Sequence, residues 1–274
     1  MQSVFITGAS TGIGYATALY LAREGFDVFA TVRRAEDGVA LAADASSRLR
    51  TVLLDVTDGE AIRQAAGVVE DAVGSAGLDG LVNNAGIVEP GPIEFCTLDA
   101  LRRQFEVNVV GQVAVTQAFL PLLRRAGGRI VNMGSVGGLN VLPFAGAYSA
   151  TKFALEAVTD ALRMELKASG IEVVIVEPGS VATPIWTKSA ERILPAEVEA
   201  LYGAGIRVMK SAVEQTASQG IPADVVARVI YRALTARRPR TRYLVGRMAF
   251  VRAALQKLPD RLRDRVLLRR LTGK

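Results

Sequence analysis

The chain has 274 residues, half of them hydrophobic, a formal net charge of +6, one cysteine and no histidine. Without histidine, a Ser-His-Asp hydrolase, a histidine zinc site and a histidine general base are all excluded, so proton transfer near neutral pH falls to a tuned Tyr, Lys, Cys or carboxylate. Cys96 has no partner for an internal disulfide, which fits a reducing compartment.

The length suits one α/β domain. Val4-Phe5-Ile6 reads as a first strand, followed by a glycine turn and a helix over residues 13–24 that Gly25 stops. Residues 27–32 read as the second strand and 51–54 as the third, with a helix over 59–73. A fourth strand over 78–82 leads into a long helix over 98–125. A fifth strand over 129–132, a helix over 148–167 and a sixth strand over 172–176 follow. Near-continuous, β-branched apolar runs suit a parallel sheet buried on both faces, and the βα alternation predicts a doubly wound Rossmann-type sheet flanked by helices. Residues 186–220 read as an excursion of one or two helices. A helix over 223–236 and a last strand over 242–245 restore the order.

The charge is uneven. From Arg237 onward there are 13 basic and two acidic residues, a net +11, whereas the rest of the chain nets −5. The expected division is a catalytic unit at residues 1–246 and a basic helical tail at 247–274. In that tail Met248, Val251, Leu255 and Leu258 form an apolar helical stripe. Two uses stay open: peripheral contact with an anionic membrane, or packing on this chain or a second subunit. The N-terminus shows no basic or long apolar signal region, and no run reaches ~18 uncharged apolar residues. The expected location is cytoplasmic, with membrane association through the tail as the open variant. Nothing resembles a nucleic-acid recognition motif.

After the first strand comes Thr7-Gly8-Ala9-Ser10-Thr11-Gly12-Ile13-Gly14, a T-G-x-x-x-G-x-G turn. Glycines let backbone approach a pyrophosphate held at a helix N-terminus, and Ser10 and Thr11 add hydroxyls. The alternative is an ordinary strand-to-helix turn. At the end of the second strand stand Arg33 and Arg34, where NAD-selective folds carry an acidic residue. Arginine there suits a 2′-phosphate and favours NADP over NAD, with Asp37 as the counter-argument. Tyr148 and Lys152 are four residues apart and share a helix face. An ammonium near the phenol, together with a cationic nicotinamide, supplies the kind of stabilisation that moves a tyrosine from ~10 toward 7.

Asn83-Asn84-Ala85-Gly86, Asn108, Ser135, the Tyr148-x-x-x-Lys152 pair, Pro178-Gly179 and Thr183 occur in that order. This set closely resembles the short-chain dehydrogenase/reductase family over residues 4–183. The stretch around Gly134 to Phe144 is more weakly similar to its 17β-hydroxysteroid and retinol dehydrogenase branch. The resemblance implies an oxidoreductase working with NADP(H), with no metal and with homodimeric or homotetrameric assembly. It implies catalytic roles for Asn108, Ser135, Tyr148 and Lys152. Besides the turn residues Gly8, Ser10, Thr11, Gly12, Ile13 and Gly14 and the two arginines, it implies cofactor contacts for Asp55, Val56, Asn84, Ala85 and Gly86. Tyr148, Lys152, Pro178, Gly179, Val181 and Thr183 complete that set. Asp55 can equally be an Asx-turn or helix-cap residue. Substrate contacts are expected from Ser135, Val136, Leu142, Tyr148 and Trp186. These and their neighbours are largely apolar, so the expected substrate is an apolar alcohol or ketone. The rival readings are a non-catalytic NADP(H) sensor or scaffold, which has no need of the Tyr148–Lys152 pair, and a nucleotide-sugar epimerase or dehydratase, which the short excursion disfavours.

Overall fold

Neighbouring residues of the first strand divide the interior between two apolar cores. Val4 and Ile6 fall in one buried cluster and Phe5 in the other. The computed structural model describes residues 2–185 and 196–272. The strands are β1 Ser3–Ile6, β2 Asp27–Val32, β3 Leu49–Leu53, β4 Gly80–Asn83, β5 Arg129–Met133, β6 Glu172–Pro178 and β7 Arg242–Val245. The division repeats across the sheet: Val28, Val82 and Val131 face one way and Phe29, Leu81 and Ile130 the other. Strand side chains alternate with period two, so a strand apolar at every position needs cover on both faces.

The cover comes from helices on each side. One core is closed by α1 Gly12–Arg23 and, near the chain end, by α8 Ala223–Thr235, through Ala18, Leu21, Val226 and Ile230. The other is closed by α3 Gly59–Val73 and α5 Gly111–Ala126, through Ile62, Val69, Val115 and Phe119. All strand pairs are parallel, in the order β3-β2-β1-β4-β5-β6-β7. The winding reverses between β1 and β4, which opens a crevice above their carboxyl ends, the usual ligand position in such sheets.

Several expectations need adjusting. A short helix, α2 Ala35–Ala43, lies between the second and third strands, where the sequence reading placed no element. The single long helix over 98–125 is α4 Leu98–Phe105, a π-helical turn Glu106–Val110, and α5. The whole stretch Leu98–Ala126 is long and apolar enough to cross a membrane, the one such helix among the described residues. Its charge-free run is residues 107–123, short of the ~18 weighed from sequence, and Val115, Phe119, Leu122 and Leu123 are buried in the core. The excursion contains α7 Ala196–Gln219, and α6 Gly146–Glu165 carries the Tyr148 segment.

The tail forms α9 Arg247–Leu255 and α10 Asp260–Thr272. In α9 the expected stripe is not the buried face. Ala249 and Arg252 are buried, whereas of the stripe Met248 is exposed and Val251, Leu255 and Leu258 are half-buried. Arg252 bonds the side chain and backbone oxygen of Asn140, and Asn140 Nδ2 donates back to the Arg252 carbonyl at 2.6 Å. Helix α9 therefore docks on the loop that follows β5.

Candidate active site

The glycine turn is tied to two strand ends. Gly8 N donates to Thr31 Oγ1 at 3.0 Å and Ala9 N to the Thr31 carbonyl at 2.7 Å, anchoring the turn to β2. Thr7 Oγ1 accepts from the backbone N–H of Asn84 and of Ala85, each at 2.9 Å. Asn84 Nδ2 donates to the carbonyls of Thr7 and Gly8, both at 2.9 Å. Gly8 and Gly12 have φ of +68° and +63°, a region open to glycine at little steric cost. A Cβ at Gly14 would sit 2.3 Å from the Gly8 carbonyl oxygen, so Gly14 serves helix-to-turn packing. Helix α1 has no acidic residue in its first turn, and its N-cap, Thr11, makes no side-chain cap hydrogen bond. The free N–H groups and the positive end of the helix dipole form a cradle that suits a phosphate.

A cavity of about 310 Å³ runs from this turn over the carboxyl ends of the strands. Its wall includes Gly8, Ser10, Thr11, Gly12 and Ile13 from the turn, then Arg33, Asp55 and Val56 from the ends of β2 and β3. Asn84, Ala85 and Gly86 follow from the end of β4, then Ser135, Tyr148 and Lys152, and Pro178, Gly179, Val181 and Thr183 beyond β6. Five described residues expected at the site lie outside this wall: Gly14, Arg34, Asn108, Val136 and Leu142. Trp186 is outside the described residues. The Arg34 guanidinium pairs with Asp37 at 2.8 Å, which leaves Arg33 as the arginine of the wall. Asp55 takes the Asx-turn reading, the one the structure shows directly. It faces the cavity, and its Oδ1 closes an Asx turn by accepting from Thr57 N at 2.9 Å and Thr57 Oγ1 at 2.8 Å.

At the far end Ser135, Tyr148 and Lys152 are all buried. Burial raises the Tyr148 hydroxyl above the ordinary tyrosine value, and a hydrogen bond from Ser135 works against it. Ser135 Oγ also accepts from Gly137 N at 3.0 Å. Lys152 Nζ donates to the Met133 carbonyl at 2.7 Å and lies 5.7 Å from the centre of the Tyr148 ring. Burial pulls Lys152 down to about 8, opposed by the charge of Glu156.

Asn108 sits in the π-helical turn and is fully buried. Its Nδ2 donates to the Ile87 carbonyl at 2.9 Å and to Thr151 Oγ1 at 3.1 Å, and its Oδ1 accepts from Ile87 N at 2.8 Å. Thr151 Oγ1 in turn donates to the Tyr148 carbonyl at 2.7 Å. In this geometry Asn108 joins the β4 loop to the first turns of α6. A π-bulge at such a place is a common way to aim a side chain inward.

The short chain dehydrogenase family model matches residues 2–193. The NADPH-dependent 3-dehydrocapnine reductase of Ornithobacterium rhinotracheale is 35% identical, over 99% of this chain and 98% of the relative. The chain belongs to the short-chain dehydrogenase/reductase family. Human retinol dehydrogenase 5 is 42% identical, over 89% of this chain and 80% of its own, which puts this family member in the retinol and steroid dehydrogenase branch. A crystallised short-chain dehydrogenase from Streptomyces avermitilis superposes with a TM-score of 0.80 at 32% identity, covering 98% of this chain and 95% of that one.

The dehydrogenase's cleft also has wall residues that sequence reasoning passed over: Thr31, Val32, Leu54, Ile87, Val88, Val107, Met133, Gly134 and Pro184. Five of them, Thr31, Val32, Leu54, Met133 and Gly134, stand at or just past strand carboxyl ends, and that position was the available signal. Beneath the cleft, Asn83 Nδ2 donates to Thr116 Oγ1 at 2.8 Å and Asn132 Oδ1 at 2.9 Å, and Asn132 Nδ2 donates to Thr159 Oγ1 at 2.9 Å. This buried chain of bonds fixes β4 and β5 against α5 and α6. On the side where substrate contacts were expected, Phe144 adopts φ of 66°, uncommon for a bulky residue. Its ring meets Tyr202 of α7 edge-on at 6.0 Å and covers Gly205.

Proposed function

We propose that this dehydrogenase uses NADP(H) to interconvert an apolar alcohol and its carbonyl compound, with Tyr148 as the proton donor or acceptor. The observation that carries the reading is one cleft with Arg33 in its wall and Ser135, Tyr148 and Lys152 at the other end. Arg33 suits a 2′-phosphate, and Asp37, which would favour an unphosphorylated ribose, is engaged by Arg34. The NADPH dependence in the name of the Ornithobacterium relative supports the same choice. The α1 N-terminus with Ser10 and Thr11 would hold the pyrophosphate, and Asp55 and Val56 the adenine. Asn84, Ala85 and Gly86 would border the ribose, and Pro178, Gly179, Val181 and Thr183 the carboxamide. When bound, the nicotinamide supplies or accepts the hydride. Ser135 holds the substrate oxygen, and Tyr148 moves the proton. Lys152 holds the ribose hydroxyls and offsets charge on the phenolate, and Asn108 positions the Tyr148 turn.

Apolar Ile87, Val88 and Ile185 in the wall support an apolar substrate, as does the retinol dehydrogenase relative. Residues 1–246 form the catalytic unit, and 247–274 add a basic helical tail to it. Exposed Leu98, Val110, Phe153 and Met164 on α4 to α6 support homodimeric or homotetrameric assembly. The proposed setting is cytoplasmic, with the tail free to touch an anionic membrane and no role for nucleic acid. The test is a turnover screen with NADPH and NADH across apolar ketones, aldehydes and alcohols, repeated with Tyr148→Phe. The expected result is NADPH-preferring turnover that the variant loses by more than a hundredfold while cofactor titration stays unchanged. Substantial activity in Tyr148→Phe removes the proton-transfer role, and cofactor binding without any turnover makes the protein a sensor.

A further inference from the structure

One helical turn beyond Lys152 lies a cluster of charged groups, from buried Glu177 to half-exposed Arg242, that the proposed reaction does not use. Glu156 follows Lys152 by four residues on α6, so the two share a face. Glu177 stands near the end of β6, immediately before Pro178 and Gly179 of the cleft wall. Arg242 of β7 pairs with Glu156 and, at 2.7 Å, with Asp160, which Arg163 also reaches at 3.2 Å. The charged groups around Glu156 are therefore Lys152 and Asp160 on its own helix, Glu177 from β6 and Arg242 from β7.

If both carboxyls were ionised, Glu156 Oε1 and the two Glu177 oxygens would be buried acceptors without a donor. A proton on one carboxyl would supply a donor, and the β5–β6 register that sets Met133 beside Val176 puts Glu177 level with Gly134, the residue that Glu156 Oε1 borders. Burial, and next the facing Glu177 charge, push Glu156 up to about 8, with Arg242 pulling the other way. Burial raises Glu177 too. The carboxyl end of β5 touches both partners of the Lys152–Glu156 pair. Its Met133 carbonyl takes the Lys152 ammonium, and a Cβ at Gly134 would sit 3.2 Å from Glu156 Oε1.

We propose that Glu156 and Glu177 are positioning residues acting as one unit: a buried carboxyl pair that shares a proton and sets the charge facing Lys152. The effect on turnover rests on the function proposed above; the effect on Lys152 does not. As pH rises, the pair gives up its proton, and the added negative charge holds the Lys152 proton more tightly. Lys152 thus stays cationic to a higher pH than burial alone allows. Glu156→Gln removes that charge and lowers the Lys152 midpoint. Glu177→Gln removes the competing carboxyl, so Glu156 ionises earlier beside Arg242 and the Lys152 midpoint rises.

The experiment is a ¹³C NMR titration of cofactor-free, full-length protein labelled at lysine Cε. The chain has six lysines, and the signal missing from Lys152→Met assigns the one of interest. The expected shift is about one pH unit downward in Glu156→Gln and upward in Glu177→Gln. The alkaline limb of reductive kcat should move in the same two directions. A merely structural role would weaken both variants alike and would not separate them in sign. Both amides keep the side-chain size, and either folded variant decides alone. An unchanged Lys152 midpoint, or a shift of the two variants in one direction, overturns the proposal. Midpoints that move as expected in a protein without turnover uphold the pair and reject the function.

Discussion

At the scale of single residues, cofactor choice turns on two adjacent arginines. Arg33 faces the cavity, and Arg34 turns to Asp37. The guanidinium of Arg33 is solvent-accessible, so its effect comes from directed, charge-assisted bonds to a phosphate and not from burial. Arg33→Asp is expected to weaken NADP(H) binding by about ten- to a hundredfold and to leave NAD(H) nearly unchanged. Calorimetric titration of both cofactors checks this, and equal losses would remove Arg33 from the assignment. The arginine was legible because it follows the second strand at a fixed distance from the glycine turn. The engagement of Asp37 was not, because a partner three residues away depends on where α2 starts.

At the scale of elements, α9 shows how a short helix gains a fixed place. Its expected apolar stripe is partly exposed, and its hold comes from Ala249, fully buried, and from Arg252 against Asn140. Asn140 lies five residues past Ser135, so this contact braces the loop that carries the serine. Arg252→Ala leaves the buried oxygens of Asn140 without a donor, at a cost of about 2–4 kcal/mol. The melting temperature is expected to fall by roughly 5–10 °C, with no comparable loss in Arg247→Ala, whose side chain is exposed. Equal melting temperatures in a thermal scan would show that the contact carries no weight. A sequence pattern weighs apolar residues, and here the anchor is a charged one matched by a distant amide.

Over the whole molecule, charge is divided between an acidic body and a basic end. The α9 and α10 helices keep exposed Phe250, Leu262 and Leu268 among their arginines. Polybasic attraction is worth ~1 kcal/mol per charge near an anionic surface and is screened by salt. Full-length protein is expected to sediment with anionic but not neutral vesicles at low ionic strength, and to be released as salt rises. A form ending at Gly246 is expected to lose both that binding and, because Asn140 loses its Arg252 partner and Gly179 the neighbouring Met248 and Ala249, part of its thermal stability. Failure to bind anionic vesicles at low salt would leave the tail a packing element alone.

The sequence by itself determined the alternation of strands and helices, the parallel buried sheet, the glycine turn and the Ser135, Tyr148 and Lys152 set. These are local facts: an unbroken apolar run needs cover on both faces, a phosphate turn needs glycine, and residues four apart share a helix face. Only the tertiary structure decided the π-helical turn that buries Asn108, the docking of α9 through Arg252 and the meeting of Glu156 with Glu177. Each depends on a partner far along the chain: Ile87 and Thr151 for Asn108, Asn140 for Arg252, and β6 and β7 for Glu156. Periodicity records which face of an element is apolar. It does not record which buried polar group on one element will meet its donor on another, and that pairing is fixed only when the sheet is assembled.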